Sequence, residues 1–402
     1  MDNIHELAKI GFNTSNKGIY RQGITETDRE GRDWLINKMK AIGLKTHYDG
    51  ALNVFGKYGK SKNPSVMIGS HLDTVPCGGM FDGALGVLAG LECIQTLVEN
   101  NVNTKHPIEL VATSEEEGRF GGMLGAEAIA GKITPDWIES ASDSKGEYLM
   151  DAFRKLNLRP HDILKAYRSP ETIHSFLELH IEQGPVLEKE GFPIGVVEGI
   201  SGVFKWHIRL IGKANHAGTA PMDMRADAFM GLADFAHEIP RIIDEEGTDK
   251  SRLAVGRCEL KPGFAHTIPG EAEFTLVGRD MEAQIMHNLA NSCRKVLSAI
   301  ARKHHLMFEY EEKSWLEPKP CHNDVIKCFE KHAQKLNYNY KVMPSGAGHD
   351  TQFMTDITRA GMIFVPSVGG VSHSPEELSH WADIEKGCNL LFETMLDFAE
   401  AV

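Results

Sequence analysis

The stretch SVMIGSHLDTVPCGGMFDGALGVLAGLECIQTLVE, residues 65–99, contains the pattern from which we predict the fold. Its first six residues are typical of a buried strand that runs into His71, and residues 83–99 are rich in Gly, Ala and Leu, as in a helix packed closely on a sheet. Further strands are predicted at 108–113 and 176–180. Strands that alternate with helices predict an α/β domain with a mainly parallel sheet.

The pattern changes near residue 204, where a smaller inserted domain is predicted. Residues 203–211 alternate between apolar and polar side chains, as half-exposed strands do. The following elements are predicted as a helix at 226–245, strands at 252–260 and 271–278, and a helix at 281–304. Such strand and helix pairs indicate a compact α+β unit. We therefore predict a larger domain formed by 1–204 and 321–402, with a smaller inserted domain at 205–320.

The composition restricts the class of partner. The 402 residues are 42% hydrophobic and 25% charged, as in an ordinary globular protein, and the formal net charge is −13. This charge argues against a nucleic acid or an anionic membrane as partner. No basic segment precedes an N-terminal apolar run and no apolar stretch approaches about 18 residues, so neither a secretion signal nor a membrane span is expected. The seven cysteines form no CxxC pair, which favours reduced thiols and a cytoplasmic location.

Several side chains that can bind metal ions lie at predicted strand ends or in the loops beside them. They are His71, Asp82, Glu117, His180 and His373. Each has an ordinary alternative, because single histidines are more often structural, Asp82 has the position of a helix N-cap, and the acidic run 115–117 is typical of a solvated loop. Together they offer the imidazole nitrogens and carboxylate oxygens that suit Zn²⁺ or Mn²⁺.

Eight motifs along nearly the whole chain resemble the M20 metallopeptidase clan and, within it, the amidase/carbamoylase branch. The motifs are GSHLDTVPCGGMFDG, SEEEGRFGGMLGA, ELHIEQGPVLE, GVVEGISG, NHAGTAPMDMRADA, IPGEAEFTLVGRD, SGAGHDTQFM and MIFVPSVGGVSHSPEE. The branch includes N-carbamoyl-L-amino acid hydrolases, allantoate amidohydrolases and β-ureidopropionases. HIEQG, and NHAGT followed by PM, distinguish this branch from ordinary M20 peptidases.

The resemblance implies a site with two divalent metal ions, Zn²⁺ or Mn²⁺ with Co²⁺ or Ni²⁺ as alternatives. One ion would be held by His71, Asp82 and His180, and the other by Asp82, Glu117 and His373. Asp73 would support His71, and Glu116 would be the general base. Counting from Arg119-Phe120 would instead select Glu115 and Glu116 as base and ligand. We prefer the register counted from the preceding strand, because that strand positions the ligand.

The resemblance also implies contacts to the substrate. Asn215 and His216 would contact the oxyanion, with His216 usually delivered from the neighbouring subunit, and Gln183 would contact the substrate amide. Arg279 would bind the substrate carboxylate, since a guanidinium matches two oxygens, and Gly348 would make a main-chain contact. For His216 in a glycine-containing turn and Arg279 on a strand, an ordinary surface position is the alternative.

Two positions depart from the family pattern near Arg279. His266 occupies the place of an asparagine that normally touches the substrate, and Val277 occupies the place of an acid. A histidine here would suit a substrate with an additional acceptor or a second negative charge. The exact substrate is therefore left open by the sequence.

The expected reaction is hydrolysis of an N-carbamoyl-L-amino acid to the amino acid, CO₂ and ammonia. Allantoate, β-ureidopropionate and N-acyl amino acids are alternative small-molecule substrates with a carboxylate. A dipeptidase and a catalytically silent metal-binding protein are the competing classes. The resemblance further implies a homodimer formed through the insert, which would also act as a lid.

Overall fold

The computed structural model describes residues 2–401, and its internal contacts divide the chain into two units. The larger unit consists of Met1–Glu198 and Cys321–Val402, and the smaller unit is Gly199–Pro320. The smaller unit thus begins at residue 199, whereas the sequence pattern predicted that the insert begins at residue 205. No helix within residues 2–401 is long and apolar enough to cross a membrane.

The chain up to residue 200 alternates strands with helices. Its strands are β1 (Lys45–Tyr48), β2 (Val54–Tyr58), β3 (Ser65–His71), β4 (Ile108–Thr113), β5 (Ile173–Ile181) and β6 (Ile194–Ile200). Its helices are α1 (Asp2–Leu7), α2 (Glu26–Ala41), α3 (Ala84–Glu99), α4 (Leu124–Ile129), α5 (Pro135–Ser140), α6 (Leu149–Lys155) and α7 (Val186–Glu190). Helix α2 begins after Thr25, whose side chain accepts a hydrogen bond from the main-chain N–H of Asp28 and so caps the helix.

The smaller unit is an antiparallel sheet packed against two helices. Its elements are β7 (Gly202–Ile211), β8 (Asn215–His216), α8 (Ala228–Glu246), β9 (Arg252–Lys261), β10 (Thr267–Ile268), β11 (Glu271–Asp280), α9 (Ala283–Lys303), β12 (Met307–Leu316) and β13 (Lys319–Pro320). The main sheet has the order β12-β7-β11-β9. The sequence pattern did not predict β12, because this edge strand, MFEYEEKSWL, is mostly exposed and has no regular alternation of apolar residues.

The chain after residue 320 completes the larger unit. Its elements are α10 (Asn323–Lys335), β14 (Tyr340–Ser345), α11 (Thr351–Met354), β15 (Arg359–Val365) and α12 (Trp381–Ala399). Strand β15 pairs in parallel with β5, and α12 packs against both α3 and α10. The two ends of the larger unit therefore share one core.

The sheet of the larger unit positions the candidate site. Its order is β1-β2-β4-β3-β5-β15-β6, and the three central ladders β4–β3, β3–β5 and β5–β15 are parallel. The predicted α/β class with a mainly parallel central sheet is thus confirmed. Helix α3 lies close to this sheet because Gly86 has no side chain: a Cβ there would lie 2.3 Å from the carbonyl oxygen of Leu179. Parallel strands bring their carboxyl ends to one edge, where open α/β sheets place ligands.

Candidate metal centre

Three ligand atoms converge from two neighbouring strands and the loop before α3. Strand β3 ends at His71, and the adjacent parallel strand β5 carries His180 one residue before its end. Oδ1 of Asp82 lies 3.5 Å from Nε2 of His71 and 3.1 Å from Nε2 of His180. One ligand atom of each residue lies within 4.8 Å of the others, so the group has the dimensions of a metal site.

Asp82 also faces a second group through its other oxygen. Oδ2 of Asp82 lies 3.3 Å from Nε2 of His373, and the same nitrogen lies 3.3 Å from Oε2 of Glu117. These three residues form a second set whose ligand atoms lie within 4.8 Å of one another. Asp82 is therefore common to two groups, one on each of its carboxylate oxygens.

The residue after Asp82 allows this close arrangement. Gly83 has a φ of +62°, and a Cβ at this position would lie 2.4 Å from atoms of the His71 ring. A larger residue would push the loop away from the imidazole and would also be strained in this backbone conformation. The glycine thus lets the start of α3 bring Asp82 between the strand ends.

The acidic triplet separates into three different environments. Oε2 of Glu116 lies 3.6 Å from Nε2 of His71, whereas Glu117 lies beside His373. Glu115 has a φ of +55° and accepts hydrogen bonds from the main-chain N–H groups of Phe120, at 2.6 Å, and Gly122, at 3.3 Å. These distances favour the assignment counted from β4, with Glu116 as base and Glu117 as ligand. Glu115 instead orders the following turn, because its carboxylate oxygens accept hydrogen bonds from main-chain N–H groups of that turn.

Burial and crowding control the charges of the carboxyl groups. Burial raises the pKa of Glu116 well above its usual value, and the charge of Glu117 acts in the same direction. Burial, together with the charge of Asp82, raises the pKa of Glu117 to about 7. For Asp82 burial has the same effect, but hydrogen bonds from three histidines hold its pKa well below the usual range. Divalent cations would relieve this crowding, and the nitrogen and oxygen donors fit them.

Asp73 lies behind the first group, although its contact differs from the expected one. Nδ1 of His71 lies 3.0 Å from the main-chain oxygen of Asp73 and 4.0 Å from its carboxylate Oδ1. Oδ2 accepts a hydrogen bond from the main-chain N–H of Glu117, at 3.2 Å, and Oδ1 lies 3.7 Å from the buried guanidinium of Arg32. The main-chain carbonyl therefore orients His71, and the carboxylate orders the segment that carries Glu117.

Gln183 and Gly348 lie beside the same site in the larger unit. The Nε2 amide of Gln183 donates a hydrogen bond of 2.8 Å to Oδ2 of Asp82. Its Oε1 atom is buried and has no hydrogen-bond partner within residues 2–401. Gly348 directly precedes His349, whose ring packs edge-on against that of His180 with 4.5 Å between the ring centroids.

The other expected substrate contacts belong to the smaller unit. Strand β8 (Asn215–His216) pairs with β10, and the main-chain N–H of Ala217 donates a hydrogen bond to the carbonyl oxygen of His266. Asn215, His216 and His266 are therefore neighbours. Arg279 lies on β11, where burial lowers its pKa, and it forms no ion pair with the acids that the structure describes.

Residues 67–397 match the model of peptidase family M20/M25/M40. The chain belongs to this family. The N-carbamoyl-L-amino acid amidohydrolase of Geobacillus stearothermophilus is 37% identical over 98% of this chain and 97% of the relative. The allantoate amidohydrolase of Escherichia coli (strain K12) is 33% identical over 88% of this chain and 86% of the relative. A crystal structure of an amidase of the hydantoinase/carbamoylase family from Burkholderia multivorans has a TM-score of 0.92 and 31% identity, covering 99% of this chain and 96% of that one.

These matches confirm the resemblance to the M20 clan and to its amidase/carbamoylase branch. They extend from one end of the chain to the other, so both units of this family member are included. The geometry of the ligand groups is thus found in a chain whose relatives are named as amidohydrolases.

Glu377 is a buried residue of the site that the sequence patterns did not single out. Its Oε1 accepts hydrogen bonds from the main-chain N–H groups of Phe81, at 2.8 Å, and Asp82, at 3.0 Å. Its Oε2 accepts a hydrogen bond of 3.1 Å from the hydroxyl of Ser372, the residue before His373. One carboxylate therefore fixes both the loop of Asp82 and the loop of His373. Its position four residues after His373, in the motif SHSPEE, was the sequence feature that could have identified it as a site residue.

Proposed function

We propose that this chain is a metal-dependent amidohydrolase that hydrolyses an N-carbamoyl-L-amino acid to the amino acid, CO₂ and ammonia. The observation that carries the proposal is the position of Asp82, whose two oxygens face two separate groups of ligand atoms. Membership of the M20/M25/M40 family and the names of the relatives support the reaction class.

The proposed cofactor is a pair of divalent ions, Zn²⁺ or Mn²⁺, with Co²⁺ or Ni²⁺ as alternatives. His71, Asp82 and His180 would hold one ion, and Asp82, Glu117 and His373 would hold the other. The mixture of imidazole and carboxylate donors supports this choice. When bound, such ions lower the pKa of a water molecule and polarise a carbonyl oxygen.

Glu116 is the proposed general base. Its carboxylate is buried and lies 3.6 Å from Nε2 of His71, a member of the first ligand group. In the reaction it takes a proton from the attacking water as the new C–O bond forms. It then gives that proton to the leaving nitrogen as the C–N bond breaks. Burial raises the pKa of Glu116, which favours a carboxyl group that can hold this proton between the two steps.

The proposed substrate contacts use polar groups with unused hydrogen-bonding capacity. The buried Oε1 of Gln183 is available to accept a hydrogen bond from a substrate N–H. Arg279, which has no acidic partner among the described residues, would bind the substrate carboxylate. Asn215 and His216 would stabilise the oxyanion, and Gly348 would contact the substrate through its main chain.

Direct assays test the reaction class. The purified chain would be treated with EDTA, reloaded separately with Zn²⁺, Mn²⁺, Co²⁺ or Ni²⁺, and given N-carbamoyl-L-amino acids, allantoate, β-ureidopropionate, N-acyl amino acids and dipeptides. We expect release of ammonia and free amine from a carbamoyl substrate, its loss with EDTA, and its recovery with metal. Cleavage of dipeptides alone would identify a peptidase, and inactivity with every metal would favour a silent metal-binding protein.

The role of His266 in substrate choice is tested separately. Its position in place of an asparagine favours a substrate with an additional acceptor or a second negative charge, such as allantoate among the alternatives. His266→Asn should shift the ratio of kcat/KM values toward carbamoyl amino acids whose side chain carries neither an additional acceptor nor a second charge. An unchanged ratio across the panel would remove His266 from substrate recognition.

We also propose a homodimer in which the smaller unit mediates association and His216 serves the active site of the other subunit. His216 is exposed in this chain, and its Nδ1 accepts only the main-chain N–H of Gly218 among the described groups. Mixing a His216→Ala chain with a Glu116→Ala chain should restore activity through hybrid dimers. Verified heterodimers without activity would contradict action across the interface.

A further inference from the structure

A second cluster of potential ligands lies on the outside of the larger unit, between α10 and α12. Cys328 and His332 are one turn apart on α10, and Asp397 lies on the facing side of α12. Oδ2 of Asp397 lies 2.9 Å from Nε2 of His332 and 3.7 Å from Sγ of Cys328. All three ligand atoms lie within 4.8 Å of one another. None of the three residues belongs to the Asp82-centred site, which consists of His71, Asp82, Glu117, His180 and His373.

Two of the three spacings are close to those around a small tetrahedral ion. Zinc bonds to sulfur at about 2.3 Å and to imidazole nitrogen or carboxylate oxygen at about 2.0–2.2 Å, so ligand atoms around one ion are roughly 3.3–3.6 Å apart. The two separations from Asp397 differ from this range by only a few tenths of an ångström. Cys328 and Asp397 also line a cavity of about 540 Å³, which gives room for water as a fourth ligand.

The burial and hydrogen bonding of His332 give a second observation in favour of a ligand site. His332 is only 5% exposed, and its Nδ1 has no hydrogen-bond partner within residues 2–401. The nearest acid on that side is Glu393, one turn before Asp397, with Oε2 at 3.7 Å. A carboxylate behind an imidazole is the usual arrangement that orients a metal-binding histidine and raises its basicity. The buried ring therefore has one nitrogen directed at the ligand group and an acid near the other.

One charged side chain competes with a cation at this place. The ammonium group of Lys331 lies 2.5 Å from Oδ2 of Asp397. Its side chain is 65% exposed, however, so it can move into water without leaving a buried charge. Exposed ion pairs contribute little to stability, and a metal ion can replace the lysine as the counter-charge of Asp397.

We propose that Cys328, His332 and Asp397 form a third metal site, selective for a borderline ion such as Zn²⁺, that ties α10 to the C-terminal helix α12. Binding replaces the thiol proton of Cys328 by the metal, and the proton passes to solvent. The ligand set differs chemically from the Asp82-centred site because it includes sulfur, so a sulfur-specific signal separates the two sites.

Cobalt titration of the full-length chain tests the proposal. Thiolate-bound Co²⁺ has a charge-transfer band in the near ultraviolet, and neither ligand group that shares Asp82 includes a sulfur atom. We expect the band to develop with the third equivalent of Co²⁺, after the two ions of the Asp82-centred site, in the unmodified chain and in the control Cys258→Ser, whose cysteine is exposed in the smaller unit. We expect no band in Cys328→Ser and at least tenfold weaker binding in Asp397→Asn.

A measurement on the unmodified chain avoids dependence on the variants. Zn²⁺ should slow alkylation of Cys328 by iodoacetamide at least tenfold, as followed by peptide mass spectrometry, while alkylation of Cys258 stays unchanged. Absence of the cobalt band, its survival in Cys328→Ser, or equal alkylation of Cys328 with and without Zn²⁺ would each overturn the proposal. A third equivalent of metal bound without a thiolate band would do the same.

Discussion

The Asp82-centred site and the group of Cys328, His332 and Asp397, here called the Cys328 cluster, both contain imidazole and carboxylate groups within metal-binding distance. The two groups are held in place in different ways. Around Asp82 the ligands come from strand ends and loops, and hydrogen bonds from main-chain N–H groups fix the supporting carboxylate Glu377. The Cys328 cluster depends on two helices and on side chains that are partly exposed.

The balance of charge differs as well. Within residues 2–401 no lysine or arginine pairs with Asp82, Glu116 or Glu117, whose only charged partners are histidines. At the Cys328 cluster, Lys331 already neutralises Asp397. The first site is therefore preorganised and short of positive charge, whereas the second is compensated without a metal. We expect the first to bind its ions tightly and the second to exchange its ion with Lys331.

The largest effect should come from the proposed base. Glu116→Gln cannot take up the proton of the attacking water, so kcat should fall by about 10²–10⁴-fold. Metal content, measured by mass spectrometry, should stay unchanged because the ligand groups remain. Glu115→Gln is the matched control, since Glu115 is bonded to the turn at Phe120 and Gly122. Loss of kcat in Glu115→Gln together with a normal kcat in Glu116→Gln would instead identify Glu115 as the base.

The sequence could predict much of this site, because parallel strands deliver their carboxyl ends to one edge. His71 and His180 follow apolar runs that are recognisable as strands; the observed β3 ends at His71, and β5 ends one residue after His180. His373 was also singled out from the residues, although it lies in a loop and follows no strand directly. The resemblance was needed to place it with Glu117 in the second ligand group.

Features that depend on distant contacts could not be predicted. Glu377 bonds to Asp82 across 295 positions, and Cys328 meets Asp397 across 69. No local pattern records such pairs, since each member has an ordinary helical or loop sequence around it. The Asp73 contact shows a further limit: the spacing indicated the residue, but the atom that bonds to His71 is its main-chain oxygen.

The second largest effect concerns the buried frame, by which we mean the buried ionic group of Arg32, Asp28 and Asp73. Arg32 is buried, pairs with Asp28 at 2.9 Å, and lies 3.7 Å from Asp73. Arg32→Met leaves these buried carboxylates without their cation, so the free energy of unfolding should fall by about 3–5 kcal/mol. Arg241→Met is the control, because Arg241 pairs with exposed acids, and it should cost about 0–1 kcal/mol. Urea denaturation measures both, and equal losses would show that the buried frame has no special role.

A smaller effect is expected at Glu377. Glu377→Gln keeps the shape of the side chain but weakens acceptance of the N–H groups of Phe81 and Asp82, so metal affinity should fall about 10–100-fold. Glu376→Gln is the matched control, since that exposed neighbour bonds only to Ser374 among the described residues. Competition with a chelator of known affinity measures the change. Equal affinities in the two variants would show that Asp82 does not depend on this carboxylate.

The smallest effect should come from Lys331, in the direction opposite to the others. Lys331→Met removes the ammonium that competes for Asp397, so Co²⁺ affinity at the Cys328 cluster should rise about two- to fivefold. The gain should shrink at high ionic strength, because salt already screens an exposed pair. Lys327→Met, on the same helix and beside the same cavity, should change affinity less. An unchanged or lower affinity in Lys331→Met would mean that lysine and metal do not compete there, and the proposed difference between a preorganised site and an exchangeable one would then be wrong.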